Sequence, residues 1–182
     1  PKKIDGTYLT TWWVRGPIKL GTGAAPKELP PWKVRTWDGR FLTLADEDDF
    51  LAETGHHFHL TLRCAEEKSA LLAIASDVQV SFYLNGKRIS RVAAAPQFAQ
   101  PRHDGFTLER ANATVIPLTL HGGDNVLEMT VVKPGGSRGL YAEFAGADGK
   151  PVKDIVFVLA KGPDDVELKD AEKTRQAIGA PV

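Results

Sequence analysis

Alternation of apolar and polar residues is the clearest signal along the chain. Residues 57–64 and 78–84 each carry apolar side chains at every second position, with polar or small residues between them. This two-residue period predicts strands that bury one face and expose the other. The second segment runs directly into Asn85-Gly86, which is the strongest short signal for a tight hairpin. Residues 87–92 are therefore predicted to form the returning strand.

Short strands separated by turn residues continue toward the end of the chain. They are predicted over residues 70–75, 106–108, 114–120, 125–132, 140–144 and 154–159. Glycine, proline and aspartate residues separate these segments, and no regular alternation of strands with helices argues for a parallel sheet. We therefore predict an all-β fold in which antiparallel strands form a β-sandwich.

The two ends of the chain depart from this pattern. Residues 16–37 are rich in proline and glycine, which predicts an irregular segment that wraps around the sandwich. Helix is predicted weakly at residues 45–53 and more clearly at 164–178, where apolar residues recur at helical spacing. We divide the chain into an N-terminal wrapping segment that contributes strands (1–54), a sandwich core (55–162) and a short helical C-terminal extension (163–182).

Three phrases of the sequence carry a resemblance to a known family. They are Trp12 to Ile18, Phe82 to Ile89 with its Tyr-Leu-Asn-Gly-Lys run, and Ile116 to Met129. In this order they resemble the galactose-binding-domain-like superfamily, especially the sugar-binding jelly-roll domains attached to bacterial polysaccharide-degrading proteins. Apart from the N-terminal phrase, the resemblance covers residues 58–144. It implies a jelly-roll sandwich and, by association, a role in carbohydrate binding.

Tryptophans are concentrated in the N-terminal fifth of the chain, at positions 12, 13, 32 and 37. Aromatic rings stack on the apolar face of a pyranose, so exposed tryptophans beside polar groups indicate sugar recognition. In an extended strand Trp12 and Trp13 point in opposite directions and are better explained as anchors of the wrapping segment. Trp32 and Trp37 are the candidate ligand residues, with the same anchoring role as the alternative.

The loop over residues 90–105 is the most polar and least strand-like part of the chain. The family resemblance implies that a ligand sits at loops on one end of the sandwich. Arg102 and Asp104 can form charge-assisted hydrogen bonds with sugar hydroxyls, and His103 lies between them. We add Arg102, His103 and Asp104 to the candidate ligand residues, with a solvated loop that binds nothing as the alternative.

Metal-binding and catalytic motifs are weak in this sequence. His57 and His59 share a strand face, but no paired motif supplies the further ligands that a metal needs. The acidic run Asp46–Asp49 is a candidate for structural calcium, although a solvated charge run or helix N-terminus explains it better. No nucleophile elbow, phosphate-binding loop or carboxylate pair stands out. We predict no catalytic residue, no metal ligand and no cofactor, with that calcium ion as the exception.

Composition excludes two classes of partner. Lys plus Arg and Asp plus Glu both number 23, so no net charge draws the chain onto nucleic acid or anionic lipid. No apolar run approaches the roughly 20 residues that span a bilayer. The single cysteine, Cys64, falls on the apolar side of its strand and is expected to be buried.

These observations favour a non-catalytic accessory module that binds carbohydrate or positions a neighbouring domain in a larger secreted or periplasmic protein. The alternative is a structural or protein-interaction subunit of a larger assembly, with no glycan ligand. A glycoside hydrolase is a third interpretation, and it requires two carboxylates that face each other across a cleft.

Overall fold

The computed structural model describes residues 6–20, 29–44, 51–92, 113–136, 139–159 and 162–163. In chain order its strands are β1 (Thr7–Tyr8), β2 (Thr11–Lys19), β3 (Lys33–Thr36), β4 (Leu42–Thr43), β5 (Thr54–Cys64), β6 (Lys68–Ser76), β7 (Gln79–Leu84), β8 (Lys87–Val92), β9 (Thr114–Leu120), β10 (Gly123–Lys133), β11 (Gly139–Gly146) and β12 (Ile155–Val158). These residues contain no helix, and hence none that is long and apolar enough to cross a membrane. The predicted all-β fold is confirmed.

The strands form two antiparallel sheets. One has five strands in the order β1-β11-β6-β9, with β4 also paired to β11. The other has seven strands in the order β3-β2-β5-β10-β7-β8, with β12 also paired to β5. Strand β5 organises the larger sheet because it pairs with β10 along one side and with β2 and then β12 along the other. The predicted antiparallel sandwich is confirmed.

Inward-facing residues of the two sheets share one core. On β5 and β10, Phe58 lies opposite Met129 and Leu60 lies opposite Leu127, and all four side chains are buried. The five-stranded sheet contributes further buried side chains, among them Leu72, Ile74, Leu120, Leu140 and Phe144. The core is therefore built from the alternate apolar positions that the sequence pattern indicates.

The segment 16–37 is more regular than its proline and glycine content predicts. Residues 16–19 continue β2 and residues 33–36 form β3, so the prediction of irregular structure is wrong at both places. Pro17 fits into β2 because the pairing with β5 shifts register between Arg15 and Ile18, which is a bulge that needs no amide hydrogen bond there. Gly16 has a φ of +142°, and a Cβ at this position would lie 2.7 Å from His56 Nδ1.

The hairpin predicted at Asn85-Gly86 joins β7 to β8. Both residues have positive φ angles, 51° and 76°, as the favoured two-residue hairpin turn requires. The strand predicted at 106–108, the helix predicted at 164–178 and residues 45–50 of the other predicted helix lie outside the described residues. The division at residues 54 and 162 stays a prediction, although β1 to β4 are distributed over both sheets.

Candidate functional site

Aromatic and polar side chains gather on the outer face of the seven-stranded sheet. We call this group the Trp32 cluster; it consists of Arg15, Trp32, His57, His59 and Glu128. Because side chains alternate along β5, Phe58 faces the core while His57 and His59 face outward. Glu128 of β10 lies directly opposite His59, and Arg15 of β2 lies directly opposite His57. The register of three neighbouring strands therefore brings these residues together.

Trp32 is a partly exposed residue that precedes β3 and packs on the histidines. Its ring centroid lies 4.9 Å from that of His57 and 6.2 Å from that of His59. The guanidinium carbon of Arg15, a buried residue, lies 4.5 Å from the centroid of the Trp32 ring, which is a cation–π contact. The indole is thus held in place by polar neighbours while part of its surface remains in contact with solvent.

Glu128 places one carboxylate oxygen between the two imidazoles. Its Oε1 lies 3.6 Å from His57 Nε2 and 3.5 Å from His59 Nδ1, which are distances of electrostatic contact rather than of short hydrogen bonds. Burial alone would raise the pKa of Glu128, but its contacts with His57 and His59 outweigh burial and lower that pKa to about 2. Glu128 is therefore an ionised, acceptor-only group at neutral pH.

Nε1 of Trp32 and Nδ1 of His57 are buried nitrogen atoms that have no hydrogen-bond partner among the described residues. Leaving a buried polar group unpaired costs on the order of 1–3 kcal/mol, so such groups are as a rule satisfied by protein, water or ligand. The cluster can therefore gain stability from a molecule that hydrogen-bonds to these nitrogens.

Trp12 and Trp13 point to opposite sides of β2, as the sequence predicts. Trp12 is buried in the core, where its Nε1 donates to the Leu9 carbonyl at 2.9 Å. Trp13 lies on the outer face, where its Nε1 donates to the Leu159 carbonyl at 3.0 Å and its ring packs against Gly162. Both indole N–H groups are thus used within the chain.

Trp37 belongs to the core and not to the cluster. It is 7% exposed, and its ring stacks on Phe58 with centroids 6.0 Å apart and planes at 22°. Its Nε1 donates to the Thr43 carbonyl at 2.8 Å, and the guanidinium of Arg35 lies over the ring. A ring packed in this way has no face on which a sugar can stack, so we leave Trp37 out of the candidate site.

The remaining candidates from the sequence lie elsewhere. Arg102, His103 and Asp104, like the acidic run Asp46–Asp49, lie outside the described residues and stay predictions. In the part of the chain that is described, no group of three or more His, Cys, Asp or Glu residues is placed to hold a metal ion. Cys64 is buried, and burial raises the pKa of its thiol.

Two residues of the cluster, Arg15 and Glu128, were not singled out by the sequence. Both are ordinary charged residues at outward positions of alternating strands. The alternation along β2 and β10 was the one available signal, because it places them on the polar face of a sheet. Only the register of β2, β5 and β10 shows that they meet His57 and His59.

Comparison with protein-family models and with curated proteins gives no match. Among solved structures, the chain is similar to a β-glucosidase from Kluyveromyces marxianus, with a TM-score of 0.47 and 14% identity. That similarity covers 87% of this chain and 17% of the enzyme. A family 35 carbohydrate-binding module from an environmental isolate has a TM-score of 0.41 and 11% identity, covering 82% of this chain and 93% of the module. Similarities at this level carry no argument about function.

Proposed function

We propose that the chain is a non-catalytic accessory module that binds carbohydrate at the Trp32 cluster. The observation that carries this proposal is a partly exposed indole beside two buried nitrogens, Trp32 Nε1 and His57 Nδ1, that have no hydrogen-bond partner among the described residues. A sugar ring combines an apolar C–H face, which packs on an aromatic ring, with hydroxyls that donate and accept hydrogen bonds. The cluster offers a complement to both properties.

The state of Glu128 favours binding over hydrolysis. Glycoside hydrolysis needs two carboxyl groups, one of which is protonated and acts as the general acid. Contacts with His57 and His59 lower the pKa of Glu128 to about 2, so this group has no proton to give at neutral pH. Glu128 is also the one carboxylate of the Trp32 cluster, whereas the reaction requires two.

We further propose that the module works within a larger secreted or periplasmic protein, where it holds a neighbouring domain near a glycan. The sequence phrases that resemble sugar-binding accessory domains support this setting. Tethering raises the effective concentration of the neighbour at the polymer, so even millimolar affinity for a single sugar unit is useful in such an arrangement.

A glycan array on the purified chain tests the proposal, with calorimetry on every glycan that binds. We expect a dissociation constant between micromolar and millimolar, weakened at least tenfold by Trp32→Ala. Val115→Ala is the matched control, because Val115 is 45% exposed and lies on β9 of the other sheet. The Val115→Ala variant should bind the glycan with the same affinity as the unchanged protein.

Two results would contradict the proposal. If no plant, algal or animal glycan on the array binds, the alternative of a structural or protein-interaction subunit would be favoured instead. Binding that survives Trp32→Ala unchanged would place the glycan outside the Trp32 cluster, and the loop with Arg102, His103 and Asp104 would then be the next site to test.

A further inference from the structure

We propose that Glu128 is a positioning residue that fixes opposite tautomers on His57 and His59, and thereby turns His57 Nδ1 into an acceptor for a ligand hydroxyl. The ligand part of this inference rests on the proposed function. The tautomer part concerns the free protein alone. The two parts are therefore tested separately.

The argument begins with the way the two rings meet one carboxylate oxygen. His57 presents Nε2 to Oε1 of Glu128, at 3.6 Å, whereas His59 presents Nδ1 to the same atom, at 3.5 Å. A carboxylate only accepts hydrogen bonds, so it attracts an N–H and repels a ring-nitrogen lone pair. In the neutral rings the proton is therefore held on Nε2 of His57 and on Nδ1 of His59.

This tautomer decides what His57 offers to a ligand. With its proton on Nε2, the ring has a lone pair on Nδ1, and that atom is buried without a hydrogen-bond partner among the described residues. Trp32 Nε1 is a donor that is likewise buried without a hydrogen-bond partner among the described residues. The ring centroids of Trp32 and His57 are 4.9 Å apart. A donor and an acceptor on two neighbouring rings suit a group that both accepts and donates, such as a hydroxyl.

The same pairing selects against other sugar substituents. A carboxylate or sulfate is acceptor-only, so it would satisfy Trp32 Nε1 but would meet the lone pair of His57 Nδ1. An ammonium group is donor-only, so it would satisfy His57 Nδ1 but would place an N–H against the N–H of Trp32 Nε1. The ligand group of this proposal is therefore a sugar hydroxyl; an acetamido group and a buried water are the other candidates that both donate and accept hydrogen bonds.

Nitrogen-15 NMR of the imidazole rings tests the tautomer part without a ligand. At pH 7.5 we expect the long-range proton–nitrogen pattern of an Nε2–H tautomer for His57 and of an Nδ1–H tautomer for His59. Glu128→Gln should abolish the difference between the tautomers of His57 and His59, because the glutamine amide can donate as well as accept a hydrogen bond. Glu128→Asp, which keeps the carboxylate, should preserve that difference. His56 and His121 lie outside the cluster and serve as internal controls. Identical tautomers on His57 and His59, or a pattern unchanged in Glu128→Gln, would overturn the inference.

Calorimetry with a glycan identified on the array tests the ligand part. We expect Glu128→Gln to weaken binding about tenfold, the value of one hydrogen bond, and Glu128→Asp to restore part of it. If the tautomers are opposed but Glu128→Gln leaves the affinity unchanged, a water occupies the position and the ligand part is wrong. If no glycan binds while the tautomers are opposed, the proposed function fails and the role of Glu128 stands.

Discussion

Acidification should destabilise this protein through His56, a residue outside the Trp32 cluster. His56 is 2% exposed, and burial, with the nearby charges of Arg35 and Lys133, lowers its pKa from 6.5 to about 4. The unfolded chain accepts a proton on this ring near pH 6.5, but the folded chain does not until about pH 4. Its contribution to stability is therefore complete above pH 6.5 and is lost as the pH falls to about 4. At about 1.4 kcal/mol for each pH unit, the loss is about 3 kcal/mol.

Urea denaturation followed by tryptophan fluorescence measures this effect between pH 7.5 and pH 4. The matched variant is His56→Gln, which cannot be protonated and keeps a polar group near Thr54, whose Oγ1 lies 3.1 Å from His56 Nε2. Other ionising groups are common to both proteins, so their contributions cancel in the difference. We expect the free energy of unfolding of the unchanged protein to fall by about 3 kcal/mol more than that of the variant. Parallel pH profiles would refute the reasoning.

Three further predictions concern the core, the hairpin and the carboxylate of the cluster. Trp37→Ala should lower the free energy of unfolding in urea by about 3–5 kcal/mol, because a buried aromatic ring is lost, whereas Trp32→Ala should cost much less. Gly86→Ala should cost about 1 kcal/mol in the same assay, since Gly86 has a φ of +76° with open space around it. Folding lowers the pKa of Glu128 from 4.5 to about 2, so the stability that its ionised form contributes should be lost as the pH falls from about 4.5 to about 2. In acid denaturation, the Glu128→Gln variant should not show this loss of stability.

The strands of the core were predictable because local alternation determines them. Phe58 and Leu60 face the core as their spacing indicates, and Asn85-Gly86 forms the hairpin that its conformational freedom favours. The prediction of irregular structure around Pro17 was wrong because the structure there depends on residues distant in sequence. A proline argues against a strand locally, but the bulge that accommodates it arises from pairing with β5, which is distant in sequence.

The candidate site was predictable only in part, because it depends on which strands become neighbours. Trp32 and Trp37 are only five residues apart in the sequence, yet Trp37 stacks on Phe58 of the core and Trp32 packs on His57 of the outer face. Glu128 becomes important only because the register of β10 with β5 places it opposite His59. No pattern within a single strand carries that information.

The indole N–H signal of Trp32 in proton–nitrogen NMR tests the central claim most directly. The signal is assigned by its loss in Trp32→Phe and is followed while a glycan that binds on the array is added. We expect it to shift with the same saturation as the binding isotherm, while the indole signals of Trp12 and Trp37, which are buried in the core and already donate to Leu9 and Thr43, stay in place. A Trp32 signal that does not move at saturating glycan would contradict carbohydrate binding at the Trp32 cluster.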